Sequence, residues 1–175
     1  MPEITIGFFP DVGSSYFLNK LPKKWCLFLA LTGGRLSSAM SHALGLCDYI
    51  VDQTHWDELK DSTCEQELIA KCKDLHATEN FSFEDYSDLD VIEGMKSIEE
   101  FHSWACVYSK EDSANEWIKN SLQLYLEGSP LSAKVIWRYF NWARNKSIES
   151  CFDLDYKLGC LMLEKSDFKE GVRAL

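Results

Sequence analysis

Apolar residues recur at helical spacing through most of the chain beyond residue 53, and this periodicity constrains the fold more than any other feature. Residues 91–107 carry one such stripe, and others lie before Gly128, after Pro130 and after Ser147. Side chains three or four positions apart lie on one face of an α-helix, so each stripe predicts a helix with one buried side. The sequence therefore predicts a mainly helical fold in which helix exceeds half of the chain.

Local signals predict where several elements begin and end. The apolar run at residues 25–32 is followed by Gly33, which predicts a short buried helix with a glycine stop. Residues 46–51 are interpreted as a short strand. The polar and acidic stretch at residues 76–89 predicts a loop. Residues 52–75, which lie between this strand and this loop, predict a pair of packing helices.

Capping residues mark two later helix starts. Ser113 and Glu116 have the spacing of a capping box, in which each side chain accepts a hydrogen bond from the other residue's backbone N–H. Ser129 followed by Pro130 predicts a second start, with serine as the cap and proline at the first helical position.

The charge balance argues against one broad class of partner. Eighteen basic and 28 acidic residues give a net charge of -10, which disfavours binding to nucleic acid through its phosphates. No apolar run approaches the roughly 18 residues of a membrane-spanning helix, and the start has neither the basic nor the apolar region of a secretion signal. We therefore expect a soluble, unsecreted, cytoplasmic protein with no nucleic-acid or membrane partner.

The seven cysteines and four histidines are scattered along the chain. A metal site needs three or four converging ligands, and no stretch offers such a set. We therefore predict no metal, and we interpret the cysteines as small apolar residues in a reducing compartment.

The first 22 residues hold the candidates for chemistry. Glu3 and Asp11 are carboxylates that would lie roughly 26 Å apart in a fully extended chain, so a shared site requires the chain to fold back between them. Gly7 can adopt a positive φ, and Pro10 keeps the preceding residue out of the helical region, so these two residues predict a bend. If the carboxylates converge in unequal surroundings, they could divide acid and base roles.

The residues after the bend predict a helix start. Asp11, Ser14 and Ser15 are three candidate caps, and Gly13 would let another group approach the backbone. Free N–H groups at such a start favour a nearby anion by roughly 0.3 to 1 kcal/mol. The alternative from spacing alone is that Glu3 is an exposed strand residue and Asp11 an ordinary cap.

Three segments of this stretch, MPE, IGFFPDVG and SYFL, carry a family resemblance. They resemble MPE-x-x-IG-x-FPDVG-(G/S)-x-YFL of the 3-hydroxyisobutyryl-CoA hydrolases, a branch of the crotonase (enoyl-CoA hydratase/isomerase) superfamily. The resemblance implies that Glu3 and Asp11 are the catalytic carboxylates. Crotonase hydratases usually have glycine in place of Asp11, so Asp11 implies thioester hydrolysis. Within the same motif, Gly7, Phe9 and Gly13 are predicted to contact the substrate.

The resemblance also implies a fold. The segments at residues 32–51 and 166–175 are similar to the superfamily as well, so the likeness runs end to end and covers the second half of a typical member. It implies the C-terminal portion of a crotonase-like (ClpP/crotonase) α/β spiral fold, mainly α with short strands only near residues 2–6 and 46–51. Residues 1–52 would be the end of the crotonase-like core that carries the Glu/Asp motif, and residues 53–175 a helical C-terminal region.

The implied function is hydrolysis of a short acyl-CoA thioester in valine catabolism. No separate cofactor is expected, because coenzyme A is part of the substrate. In the family, the oxyanion donors and most of the coenzyme A pocket precede the MPE motif. We therefore expect this chain to be incomplete and to be a poor catalyst alone.

Two alternatives remain open from the sequence. One is an enoyl-CoA hydratase/isomerase in which Glu3 acts alone, and the other is a non-catalytic fragment that pairs with an N-terminal half. A homo-oligomer is a further option for the partner. The compartment would be the mitochondrial matrix if the source is eukaryotic and a preceding segment carries a transit peptide.

Overall fold

The computed structural model describes residues 3–174, and 68% of these residues are helical. The prediction that helix exceeds half of the chain is confirmed for this part. The α-helices have the bounds α1 Ser14–Leu18, α2 Lys23–Thr32, α3 Ser38–Ala43, α4 Trp56–Lys60, α5 Glu65–Asp74, α6 Val91–Gly94, α7 Ile98–Tyr108, α8 Glu116–Glu127, α9 Pro130–Ala143, α10 Ile148–Lys165 and α11 Phe168–Ala174. Single or double turns of 3-10 helix have the bounds Glu3–Ile6, Gln53–His55 and Phe83–Asp90.

Both predicted strands are wrong, since residues 3–174 contain no β-strand. Glu3–Ile6 is a turn of 3-10 helix, and Pro2 lies outside the described residues. Both backbone polar groups of Ile50 are hydrogen-bonded, although no β-ladder is present. Its N–H donates to Nδ1 of His76 at 2.9 Å, and its carbonyl accepts from the N–H of Ala77 at 2.8 Å. A strand needs a neighbouring strand to satisfy its backbone, and these local bonds take that role for Ile50.

The chain divides into two compact units, one of residues 1–35 and 84–175 and the other of residues 36–83. Helix α2 is the centre of the first unit. Its residues from Trp25 to Thr32 are all buried, and it packs against α6, α8 and α9. Gly33, at φ 64°, ends this helix and donates its N–H to the carbonyl of Leu29 at 3.0 Å, so the predicted glycine stop is confirmed.

The two predicted caps in the first unit have different outcomes. Ser129 caps α9 by accepting a hydrogen bond from the N–H of Ser132 at 3.1 Å, as predicted. The capping box at Ser113 is wrong, because α8 is capped by Asn115 instead, whose side chain accepts from the N–H of Ile118. The hydroxyl of Tyr108 accepts the backbone N–H of Asn115 at 3.0 Å and so supports the later start.

The single helical stripe predicted at residues 91–107 is interrupted. Helix α6 ends at Gly94, and Ser97 then caps α7 by accepting from the N–H of Glu100 at 3.3 Å. Serine competes for backbone hydrogen bonds and favours a helix start over a helix interior.

The second unit is built from α3, α4 and α5. Ser37 caps α3 by accepting from the N–H of Met40 at 3.2 Å, and the helix pair predicted at residues 52–75 corresponds to α4 and α5. The predicted loop is correct for residues 76–82 and wrong beyond them, where 3-10 helix begins. In the part of the chain described here, no helix is long and apolar enough to cross a membrane.

Helix α11 lies directly against the turn Glu3–Ile6. A Cβ atom at Gly171 would lie only 2.5 Å from the carbonyl carbon of Ile6, which is backbone and cannot rotate away. We expect Gly171→Ala to lower the free energy of unfolding by about 1 to 3 kcal/mol, because overpacking outweighs alanine's better helix propensity of about 1 kcal/mol.

Gly94→Ala is the matched control, since a Cβ there would meet no atom within 4 Å. Its expected effect is neutral or a gain of about 0.4 to 1 kcal/mol from reduced freedom of the unfolded chain. Urea unfolding of both variants measures the difference. Equal stability of the two variants would contradict the close packing of α11.

Candidate active site

The chain folds back directly after Glu3, as the sequence predicts. Gly7 has φ 73°, and the N–H of Phe8 donates to the carbonyl of Glu3 at 2.9 Å. A Cβ on Gly7 would lie 2.8 to 2.9 Å from backbone atoms of Asp167 and Phe168. Glycine at position 7 therefore allows both the bend and the close approach of the C-terminal segment. Its predicted contact with substrate stays a prediction.

The turn that carries Glu3 is fixed to the rest of the structure by the next residue, Ile4. Ile4 is fully buried, and its carbonyl accepts the N–H of Ser129 at 3.0 Å, at the start of α9. Glu3 itself is half-buried, and within residues 3–174 its Oε2 atom is buried with no hydrogen-bond partner. A buried oxygen without a hydrogen-bond partner typically lowers the free energy of unfolding by about 1 to 3 kcal/mol. A catalytic role is one recognised reason for such a group to persist.

Asp11 begins a turn with unusual backbone angles. Val12 has φ 55° and Gly13 has φ 75°, so two successive residues are in the left-handed region. For a β-branched residue such as Val12 this conformation is rare and strained. The three predicted caps of α1 are wrong, because Gly13 is the N-cap and no side chain caps the helix. Asp11 is half-buried, and its carbonyl accepts the N–H of Ser14 at 3.0 Å.

A buried network from three helices holds this turn. The N–H of Gly13 donates to Oδ2 of Asp155 on α10 at 2.8 Å. The other carboxylate oxygen of Asp155 accepts the hydroxyl of Tyr139 on α9 at 2.6 Å, and the hydroxyl of Ser15 on α1 donates to the Tyr139 oxygen at 2.8 Å. Side chains far along the chain therefore bond to the Asp11 turn and to the helix that follows it.

The charges around this network interact. Burial raises the pKa of Asp155, the hydrogen bonds from Tyr139 and Gly13 lower it, and the negative charge of Asp11 raises it again. Burial and the bond to Asp155 also raise the pKa of Tyr139, so this hydroxyl stays protonated and acts as a donor. Asp11 is two residues before Gly13, whose N–H bonds to Asp155, so the turn brings the two acids near each other.

Sequence reasoning missed Asp155. The buried residues of α10 are Cys151, Asp155 and Met162, which are four and seven positions apart. Positions at this spacing share one face of a helix. An aspartate on an otherwise apolar face was the signal that could have identified it, because a buried carboxylate requires partners.

The two other predicted substrate contacts are on or beside the same turn. Phe9 is fully buried, with its ring centroid 4.7 Å from that of Phe8 and 5.7 Å from that of Tyr139. It anchors the bend to the core. A Cβ on Gly13 would lie 3.1 Å from the ring of Phe152. Substrate contact by Phe9 and Gly13 stays a prediction.

The strain at Val12 gives a stability prediction. The side chain is 76% exposed, so replacing it loses little burial. Asparagine tolerates the left-handed region, so we expect Val12→Asn to raise the free energy of unfolding by about 1 kcal/mol. Val107, which is 62% exposed on α7, provides the control, since Val107→Asn relieves no strain. Thermal unfolding of both variants measures the difference, and no gain for Val12→Asn would contradict the strained geometry.

Other features of the described chain do not coincide with this site. A pocket of about 360 Å³ is lined by ten residues that include His102, Tyr125 and Lys134 but neither Glu3 nor Asp11. Among residues 3–174, no group of three or more His, Cys, Asp or Glu side chains is placed to hold a metal ion.

Three comparisons bear on the family. The protein-family model for enoyl-CoA hydratase/isomerase matches residues 1–175. The mitochondrial 3-hydroxyisobutyryl-CoA hydrolase of Dictyostelium discoideum is 32% identical over 186 residues, which cover 100% of this chain and 48% of that protein. The small ribosomal subunit protein mS47 of Arabidopsis thaliana is 30% identical, over 99% of this chain and 45% of that protein. The chain thus spans about half the length of the curated relatives it matches.

A solved structure supports the same assignment. The crystal structure of a carnitinyl-CoA dehydratase from Mycobacterium thermoresistibile matches with a TM-score of 0.83 and 28% identity, over 99% of this chain and 51% of that one. The mainly helical fold is therefore consistent with the C-terminal portion of a crotonase-like protein. The chain belongs to the enoyl-CoA hydratase/isomerase family, in its 3-hydroxyisobutyryl-CoA hydrolase branch, and corresponds to the C-terminal half of its relatives.

Proposed function

We propose that the protein acts in hydrolysis of 3-hydroxyisobutyryl-CoA or a similar short acyl-CoA thioester, in valine catabolism. The observation that carries the proposal is Asp11, a second carboxylate on a strained turn that follows the bend at Glu3. Hydratases of the superfamily usually have glycine at this position. The name of the Dictyostelium relative, a mitochondrial 3-hydroxyisobutyryl-CoA hydrolase, supports the same substrate and favours the mitochondrion over the cytoplasm.

In the proposed mechanism, Glu3 and Asp11 converge to about one water-bridged contact. Glu3 either attacks the thioester carbonyl carbon, forming a mixed anhydride that a water then hydrolyses to the free acid, or takes a proton from a water that attacks that carbon directly. In either case the C–S bond breaks, and coenzyme A leaves as a thiolate that gains a proton. Asp11 positions the water or supplies that proton. The buried, unpaired Oε2 of Glu3 supports a catalytic role for this side chain.

Coenzyme A enters this reaction as part of the substrate, so no separate cofactor is required. The negative charge that forms on the carbonyl oxygen must be stabilised by donors aimed at it. In the family these donors come from segments before the MPE motif, and we propose that the same arrangement applies here. A complete site therefore combines residues 1–175 with an upstream half.

The direct test is release of free thiol from 3-hydroxyisobutyryl-CoA, followed with a thiol-reactive dye, by a protein that combines residues 1–175 with the upstream half. Hydrolysis releases one thiol per substrate. A hydratase, in which Glu3 acts alone, would instead change the absorbance of an enoyl-CoA without releasing thiol. Hydration of the enoyl-CoA without thiol release would therefore contradict the proposal and favour an enoyl-CoA hydratase.

A second candidate function is non-catalytic assembly with a partner. The observation that favours it is the relative named small ribosomal subunit protein mS47, whose name refers to an assembly rather than to a reaction. The two functions differ in what they require of the carboxylates. Assembly predicts that Glu3→Gln and Asp11→Asn leave partner binding unchanged, whereas hydrolysis requires both side chains.

A further inference from the structure

Asp155 on α10 is a buried carboxylate that accepts a hydrogen bond from the backbone N–H of Gly13, which is 142 positions earlier in the chain. We propose that Asp155 and Tyr139 are positioning residues that hold the turn at Asp11, Val12 and Gly13 and thereby aim the Asp11 carboxylate. The proposal rests on the proposed catalytic role of Asp11. It adds two residues outside the Glu/Asp motif to the machinery of that site.

The turn needs an external restraint because its own geometry is unfavourable. Val12 and Gly13 are both in the left-handed region, and Val12 is mostly exposed, so its side chain contributes little packing. Helix α1, which follows, has only five residues and no side-chain cap. Strained backbone persists where surrounding groups fix it. The hydrogen bond from Gly13 to Asp155 is such a group.

The side chains that bond to the turn are themselves buried and hydrogen-bonded to one another. Asp155 and Ser15 are buried at 7% and 0% exposure, and Tyr139 at 3%. One Asp155 oxygen accepts from Gly13 and the other from Tyr139, whose oxygen accepts in turn from Ser15. Each carboxylate oxygen thus has a strong donor. The turn is tied to α1, α9 and α10 at once.

The charge arrangement fits a positioning role. Asp155 is buried and accepts two hydrogen bonds, whereas Asp11 is half-buried and interacts with Asp155 through its charge. The titratable groups near Asp155 include Tyr139, Asp11 and Cys151, which is one turn earlier on the same buried face of α10. A buried carboxylate beside a second acid is unfavourable for folding. Its presence is explained if it fixes the Asp11 turn.

Amide hydrogen exchange on the full 175-residue chain tests the restraint. Asp155→Ala removes the acceptor, so the exchange rate of the Gly13 amide is expected to rise by about tenfold or more. The amide of Gly33, which bonds to Leu29 at the end of α2, reports global stability and is expected to change little. Asp155→Asn keeps an acceptor oxygen and should retain most of the protection. Tyr139→Phe should give an intermediate rise.

Equal increases at Gly13 and Gly33 would show that Asp155 only stabilises the fold, and an unchanged Gly13 amide would show that the bond is not a restraint. Either result overturns the proposal.

The second measurement is a ¹³C NMR titration of Asp155. Because the charge of Asp11 raises the pKa of Asp155, Asp11→Asn is expected to lower it. An unchanged pKa would show that Asp11 is not held beside Asp155.

The functional measurement uses the protein completed with its upstream half. A misplaced catalytic group typically reduces turnover about 100-fold, so Asp155→Ala is expected to lower kcat by roughly 10-fold to 100-fold while KM stays nearly constant. Asp155→Asn should recover most of kcat. A change confined to KM would overturn the proposal. If the parent protein hydrolyses no thioester, the proposed function fails, and the exchange and titration results still decide whether Asp155 positions the turn.

Discussion

Residues 1–175 alone are expected to release thiol from 3-hydroxyisobutyryl-CoA at close to the uncatalysed rate, and fusion to the upstream half of the fold is expected to raise that rate by at least 100-fold to 1000-fold. Thioester hydrolysis places negative charge on the carbonyl oxygen. Loss of a single oxyanion donor typically costs about 100-fold to 1000-fold in turnover, or roughly 2.7 to 4 kcal/mol. In the proposed mechanism, these donors come from the upstream half, which the match to the relatives does not cover.

The backbone near Asp11 offers a poor substitute for those donors. The N–H of Gly13 is already donated to Asp155, and the N–H of Ser14 to the carbonyl of Asp11. The N–H groups of Tyr16 and Phe17 both donate to the carbonyl of Gly13. An oxyanion placed here would also lie near the charge of Asp11 and be repelled.

The measurement compares thiol release by residues 1–175, by the fusion and by the upstream half alone, at equal concentrations. The upstream half alone is the control for contamination and for activity that does not need the carboxylates. Efficient turnover by residues 1–175 without the upstream half would show that the oxyanion donors lie within this chain. The assignment of the missing donors would then be wrong.

The helices were predictable from the sequence because their signals are local. The stop at Gly33, the cap at Ser129 and the bend at Gly7 each depend on residues within about five positions, and each is present. The capping box at Ser113 failed because the hydroxyl of Tyr108 supports a start at Asn115 instead. A local pattern indicates which residues can cap a helix, and tertiary contacts select among them.

Strands and the support of the site depend on distant residues. Residues 46–51 have a strand-like composition, but in the described chain no second strand is present to pair with them. Asp155 and Gly13 are 142 positions apart, and no sequence pattern joins them. The family motif pointed to Glu3 and Asp11 but gave no information on how the turn at Asp11 is held.

Glu3→Gln and Asp11→Asn are expected to lower kcat of the completed protein by about 100-fold to 10,000-fold each, with a much smaller change in KM. Proton transfer by a positioned side chain contributes typically 100-fold to 10,000-fold, and both substitutions keep the size of the side chain while removing its ability to act as an acid, a base or a nucleophile. Groups that act as a unit are strongly non-additive. The double variant is therefore expected to lose little more than the more damaging single variant.

Glu164→Gln and Asp153→Asn make the same chemical changes at exposed positions of α10 and are the matched controls. Their turnover is expected to equal that of the parent protein, because a change of net charge alone has little effect on chemistry at the thioester. Circular dichroism shows whether each variant keeps its helices. If Asp11→Asn retains full turnover while Glu3→Gln abolishes it, Glu3 acts alone. Asp11 would then be a residue of the turn rather than of the reaction, and the case for hydrolysis over hydration would lose its main support.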